Sequence, residues 1–339
     1  MDLNQCLKQS RIAPIHLAAY RGHIALCRQL LEDWNENKIP CAVLHYAAVA
    51  GHFEVHKLFH DVIEVKNPLL TKQERTSTDY IGKTPLHLAA EKGHSEICKF
   101  IIERVEDKNP ADIVGDTPLH FAAASGHLGL CKFILKNINY LDEKNPRGRK
   151  GLTPLHLAAE NGYLKICKLM FEYVDKKNPL CDKGETPLHL ATIDGHLNVC
   201  KLIMMNTNFN NPKNHLGNTP LHYAAILGEF DICKFIVKNI GEKNPSGREG
   251  ETPLHKATIE GHLNICKLIM AHIDDVNPKN SKGKTPMDIA KEWNQIHILQ
   301  LFRLRDATDN LRNNQFPEGV PGSLHPNFRI RLAAIYKQN

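Results

Sequence analysis

The chain has 339 residues, 42% hydrophobic and 24% charged, with 43 Lys+Arg against 37 Asp+Glu and a formal net charge of +6. These proportions exclude a disordered, collagen-like or membrane-embedded chain, and six surplus charges over this length are too dilute to announce a nucleic-acid surface. No run approaches the ~18 apolar residues of a membrane span. The first residues lack the basic start and apolar core of a secretory signal. With ten cysteines, the expectation is an intracellular, most simply cytoplasmic, protein with reduced thiols.

In chain order, Ala13 opens APIHLAA and Ala42 opens AVLHYAA. Thr-Pro-Leu-His then begins at Thr84, Thr117, Thr153, Thr186, Thr219 and Thr252, and TPMDIA begins at Thr285. The nine starts are separated by 29, 42, 33, 36, 33, 33, 33 and 33 residues. Fourteen places after each start stand Cys27, His56, Cys98, Cys131, Cys167, Cys200, Cys233, Cys266 and Leu299, so the insertions fall outside a constant block. Each copy predicts one small unit. Thr supplies an N-cap hydroxyl and Pro the first helical residue. A short helix such as Pro85–Lys92 stops at Gly93. A second helix follows with apolar residues at i, i+3 and i+4, as in Ile97, Phe100 and Ile101. An Asn-Pro turn and a Gly-containing loop lead to the next start. Neither helix buries its apolar face alone, whereas stacked neighbours do.

With this period and TPLHLAA block, the chain closely resembles the ankyrin repeat family from about Ile12 to Leu304. The resemblance implies an all-α solenoid of stacked helix-turn-helix pairs with β-hairpin-like fingers, and a role in protein–protein recognition through finger tips and the concave face. It also implies that the histidines of the TPLH block hydrogen-bond capping and finger backbone groups between repeats. A finger asparagine in this family is a substrate for hydroxylation; the matching Asn67, Asn109, Asn145, Asn178, Asn211, Asn244 and Asn277 are each followed by Pro, where the family commonly has Ala.

The departures from the repeat carry expectations of their own. Copy 2 lacks Thr and Pro, so its first helix should be poorly capped. Nine extra residues between Asn67 and Thr84 predict a longer polar finger, and three more between Cys131 and Asn145 extend the second helix of copy 4 or its exit. Asp288, Lys291, Glu292 and Asn294 give copy 9 the polar character of a capping repeat, from which a complete array is expected. The domain is thus 1–304, followed by a linker and tail, 305–339, read as disordered or docking. In that tail Phe328, Ile330 and Leu332 alternate with Arg329 and Arg331, which suits a patch lying back on the final repeats or a segment that adds to a partner.

Most histidines and cysteines fall into repeat registers, so no metal site and no cofactor is expected. No glycine-rich phosphate loop, dinucleotide fingerprint or nucleophile elbow occurs, and the expectation is a protein without catalytic residues. Lys144, Arg147, Arg149 and Lys150, with Arg248, Lys279, Lys282 and Lys284 further on, are diluted by Asp142, Glu143, Glu249 and Glu251, so no nucleic-acid partner is expected. Cys181 occupies a finger position held elsewhere by Asp or Asn, where it would be exposed.

The residues before each helix-ending glycine should face the concave side. Ile193, Ile226 with Leu227, and Ile259 put apolar side chains there in copies 6, 7 and 8, beside His215 and Leu216 on a finger. Contiguous apolar surface of this kind marks interaction sites. A second set is Tyr80, Ile81, Ile113 and Val114 at finger tips, with Arg149 and Lys150 placed to select an acidic flank. The expected function is a non-enzymatic, monomeric scaffold or adaptor for one or more proteins, without membrane insertion. The alternatives are a regulatory subunit or inhibitor of a phosphatase, kinase or ubiquitin ligase, and a linker between a membrane protein's cytoplasmic tail and the cytoskeleton.

Overall fold

The structure, a computed structural model, describes residues 14–33, 41–64, 66–69, 82–138, 144–208 and 211–312. Among them are 18 α-helices, two per copy, and no strand. They form two compact units that divide between Leu216 and Gly217. The first unit holds the helices of copies 1–6, from Pro14–Tyr20 to Leu197–Asn206, and the second those of copies 7–9, from Pro220–Leu227 to Ile296–Arg312. Within each unit, first helices pack on the first helices of neighbouring copies and second helices on second helices.

Small side chains permit the close approach of the first helices. Ala89, Ala90, Ala122, Ala123, Ala158 and Ala159 are completely buried. In copies 6 and 8 the second alanine becomes Thr192 or Thr258, and its hydroxyl donates back to Leu188 O at 2.7 Å or Leu254 O at 2.8 Å. The second helices supply the larger apolar groups. Ile97 and Ile101 are buried as their spacing requires, each contributing roughly 1.5–3 kcal/mol.

Every copy from 3 to 8 starts its first helix with the same box: Thr at the N-cap, Pro at the first helical position and His at the third. His87 Nδ1 accepts the Thr84 N–H at 3.0 Å. The ring proton therefore sits on Nε2, which donates to Asp116 O of the next copy at 3.1 Å. His120 repeats this toward Leu152 O, and His156 toward Glu185 O, both at 3.1 Å. Copy 2 has no such cap: Cys41 precedes its helix without a side-chain cap bond, as the missing threonine predicts.

The Lys-Asn-Pro turn is a double cap. Lys66 and Lys108 donate to His60 O at 2.5 Å and Ile102 O at 2.6 Å, closing the end of one helix. The adjacent Asn67 and Asn109 accept the Leu86 and Leu119 N–H groups at 3.2 and 3.0 Å, closing the start of the next. The asparagines that the family resemblance marks for hydroxylation thus include several whose Oδ1 holds a helix N-terminus, Asn145 and Asn244 among them.

Copy 9 departs at two points. Asp288 takes the place of the box histidine and accepts the Thr285 N–H at 3.1 Å; exposed, it closes the cap without a second nitrogen to offer forward. Its second helix runs Ile296–Arg312, past the boundary expected at Leu304. Arg305 explains the extension, since its guanidinium reaches Met270 O at 2.8 Å and Ile273 O at 3.3 Å, and Asp309 at 2.7 Å. In copy 4 the inserted residues do not lengthen the second helix, which ends at Asn137 and spans ten residues like its counterparts in copies 5–7. The long finger at 70–81 and the tail from 313 lie outside the described residues.

The helix-ending glycine is required twice. Gly93 has φ +77°, and a Cβ there would sit 2.5 Å from the His127 ring, whose Nε2 donates to Glu91 O at 3.2 Å. Gly93→Ala should therefore lower stability by at least about 2 kcal/mol, while Gly129→Ala, in the open first turn of a second helix, should raise it by about 0.5–1 kcal/mol. Urea unfolding of the two variants beside the parent checks both signs.

Candidate partner-binding surface

Exposed large apolar side chains stand at the finger tips, beside the turns between first and second helices, and along second helices, where Met205 is 75% exposed. In copy 4 the finger is a tight turn in which Asp112 N–H donates to Asp116 O at 2.8 Å and Asp112 Oδ1 accepts the Val114 and Asp116 N–H groups. This lifts Ile113 and Val114 to the tip, where both are exposed. Tyr80 and Ile81 lie outside the described residues.

The copy 5 finger is built differently. Gly148 replaces the turn aspartate because a Cβ there would stand 2.1 Å from Asp116 Oδ1. Lys150 adopts φ +56°, and its carbonyl accepts the Asp182 N–H at 2.9 Å. Arg149 does not project freely: its backbone N–H and Nε bond buried Asp116 at 2.9 and 3.2 Å. Arg147 ties the same finger to copy 6 through Leu180 O at 2.6 Å and Asp182 at 2.8 Å. Much of this basic cluster is spent on joining fingers. Cys181, expected at the surface, is buried at the root of the next finger, where its N–H donates to Glu185 O at 2.9 Å.

Beside the helix turns, Ile193, Ile226 and Ile259 are half-buried, while Leu227 is 47% exposed. His215 and Leu216 are exposed on their finger. The second unit carries more apolar surface than the sequence reading assigned to it. Phe230 is 39%, Trp293 61% and Ile296 56% exposed. Phe230 and Ile296 open second helices and Trp293 ends a first helix, so with Leu227 they flank the turns of copies 7 and 9. The turns are stacked: His262 Nε2 donates to Ile226 O at 3.0 Å and Gln295 Nε2 to Ile259 O at 3.2 Å. A comparison of residues on both sides of each turn glycine would have found this rim; the sequence reading considered only the side before it.

The buried titratable groups are structural. Burial pushes the thiols of Cys98, Cys131, Cys167, Cys233 and Cys266 up to about 12, which makes them poor nucleophiles. His52, His56 and His60 form two His-x-x-x-His spacings in copy 2 that counting by register passes over. No group of three or more potential ligands comes together there or elsewhere among the described residues. His52 donates to Tyr20 O at 3.1 Å, and His60 stacks edge-on against Phe100 at 4.8 Å. Neither ring nitrogen of His56 has a hydrogen-bond partner among the described residues.

A family profile described as ankyrin repeats matches residues 44–144, 107–179, 138–214, 155–246 and 238–313. The chain belongs to the ankyrin repeat family. It is similar to an E3 ubiquitin-protein ligase of Arabidopsis thaliana, XBAT33, with 32% identity over 112 residues, 30% of this chain and 20% of that protein. The match thus spans a fifth of the relative's length. Ankyrin repeats are protein-interaction elements, and their fold is typically non-catalytic. No helix among the described residues is long and apolar enough to cross a membrane.

The ankyrin box needs neutral imidazoles. Burial first, against the pull of carbonyl hydrogen bonds, lowers His87 and His156 to about 4, and burial beside His60 and His45 lowers His56 to about 3. Folded histidines therefore bind fewer protons than unfolded ones. Their contribution is complete above pH 6.5 and is lost as pH falls toward 4, at about 1.4 kcal/mol per unit for each residue. Acid unfolding followed by circular dichroism should fall in that window. His56→Leu, which removes an unsatisfied ring, should be more stable at pH 7.5 by about 1 kcal/mol and lose about 1.6 kcal/mol less than the parent between pH 6.5 and 5.

Proposed function

We propose that the chain is a non-enzymatic, intracellular adaptor that docks a protein partner on its ankyrin repeats. The exposed apolar rim of copies 7–9 carries this reading. Its side chains are large and clustered along stacked turns, with the Lys234 ammonium 5.9 Å from the Phe230 ring centroid. Burying two or three of them would contribute roughly 1.5–3 kcal/mol each before the entropic cost of association. Half-buried Ile226 and Ile259 form the inner margin of the rim. In the first unit, Ile193, His215, Leu216 and the Ile113–Val114 tip are secondary contact candidates, with Lys150 the more available of the two tip cations in copy 5.

The similarity to a ubiquitin ligase supports a second reading, in which the chain is a regulatory or substrate-recruiting subunit of an enzyme. The two differ in whether a captured activity responds to the protein.

Affinity capture from source-cell lysate should compare the parent with Leu227→Glu/Phe230→Glu/Trp293→Glu and with Ile193→Glu/Ile226→Glu/Ile259→Glu, after circular dichroism has shown all three folded. The rim triple variant is expected to bind the principal partner at least about tenfold more weakly. Undiminished capture by both variants would move the site to the fingers of copies 3–5. A co-captured enzymatic activity that changes when purified protein is added would favour the regulatory reading.

A further inference from the structure

The rim of copies 7–9 is apolar at its two ends, with exposed Glu260 at the same register between them. The His262 ring covers Gly228, and Gln295 approaches Gly261, so the three turns lie directly on one another. Leu227 and Phe230 at one end and Trp293 and Ile296 at the other are two repeats apart, about 20 Å at helix-packing distances. Glu229 and Asp231 adjoin Phe230, Glu260 stands between the two apolar ends, and none of the three forms a salt bridge among the described residues. Its complement is an extended segment about 20 Å long that combines apolar side chains with cations.

The same chain contains one. Phe328 to Ile335 spans about 24 Å when extended, with Phe328, Ile330 and Leu332 on one face and Arg329, Arg331, Ile335 and Lys337 on the other. The helix that ends at Arg312 began beside the rim at Ile296, so the chain leaves it about 25 Å away. Residues 313–327, containing Pro317, Pro321 and Pro326, reach up to about 50 Å. That is ample to return Phe328 to Trp293. A tether of this length holds its segment at an effective concentration on the order of millimolar, so even a weak contact is occupied.

We infer that the C-terminal segment 325–339 docks in cis on the rim of copies 7–9, its apolar residues over Leu227, Phe230, Trp293 and Ile296 and its arginines toward Glu229, Asp231 and Glu260. The inference rests on the proposed reading of this rim as a docking surface. It makes the tail a built-in competitor that an external partner must displace.

Trp293 reports on it directly, because Trp34 is the other tryptophan of the chain. In full-length protein carrying Trp34→Phe, acrylamide quenching should be compared between the native tail and Phe328→Asp/Ile330→Asp/Leu332→Asp. The native tail should lower the Stern–Volmer constant at least twofold, independently of protein concentration, and a free peptide of residues 325–339 should restore protection to the triple variant. Equal quenching in the two proteins overturns the proposal. Protection that fades on dilution overturns it as well, in favour of a second copy as the occupant. Hydrogen exchange of the amides at 293–299, in chains retaining Trp34, gives the same comparison if Trp34→Phe does not fold. Partner capture that depends on Leu227, Phe230 and Trp293 while quenching ignores the tail would retain the docking surface and dismiss only the tail.

Discussion

The fold depends on a neutral imidazole with one nitrogen facing backward and one forward. In copies 3–5, 7 and 8 the box histidine takes its own threonine N–H on Nδ1 and gives its Nε2 proton to a carbonyl at the base of the next finger. No other uncharged side chain combines a ring acceptor and a ring donor at that separation. A second histidine, after the turn glycine, repeats the linkage at the opposite edge, as His94 does to Val49 O and His196 to Glu160 O. Copies 3 and 4 are thereby fastened by directional bonds at both ends of the first helix, while alanine contacts fill the space between. The ring nitrogens of these box histidines are thus committed to backbone.

Such fastening leaves particular edges for binding. Interior faces are consumed by stacking, and the Lys-Asn-Pro segments by capping both neighbouring helices. Arg147 and Arg149 are consumed by finger-to-finger contacts. Among the side chains left over are those beside the turns and at the finger tips, and they vary from copy to copy because the hydrogen-bond scheme uses mainly backbone there. In copies 7–9 the variation is toward Leu, Phe, Trp and Ile. In copy 3 the same margin is polar, with Glu91 bonded to both Lys83 and Lys92. Chemical specificity on a uniform scaffold arises from this contrast between fixed linkages and free edges.

Most of the fold was legible because its causes are local and repeated. Thr-Pro, the alanine pair, the turn glycine and the i, i+3, i+4 spacing each act within one copy, and nine copies average out the ambiguity of any one. The candidate surface was less legible. Ile226 and Ile259 stand at the register that pattern reading singled out, yet they are half-buried, whereas Phe230, Trp293 and Ile296 lie beyond the glycine and are more exposed. The ion pair between Arg149 and buried Asp116 was likewise not legible in the pattern. Cys181 looked exposed by its place in a finger and is instead enclosed at the finger's root.

The sequence by itself determined the repeat, its all-helical class, the caps and the family, because these follow from residue types at fixed short separations. Tertiary structure decided which side chains remain free. It turned His52, His94, His127, His196 and His262 into bridges, Asn-Pro asparagines such as Asn109 into helix caps, and Arg305 into the support that carries the last helix to Arg312. Each of those outcomes depends on a partner about 10 to 45 residues away in the chain, and a one-dimensional pattern does not state which distant carbonyl or N–H a side chain will meet.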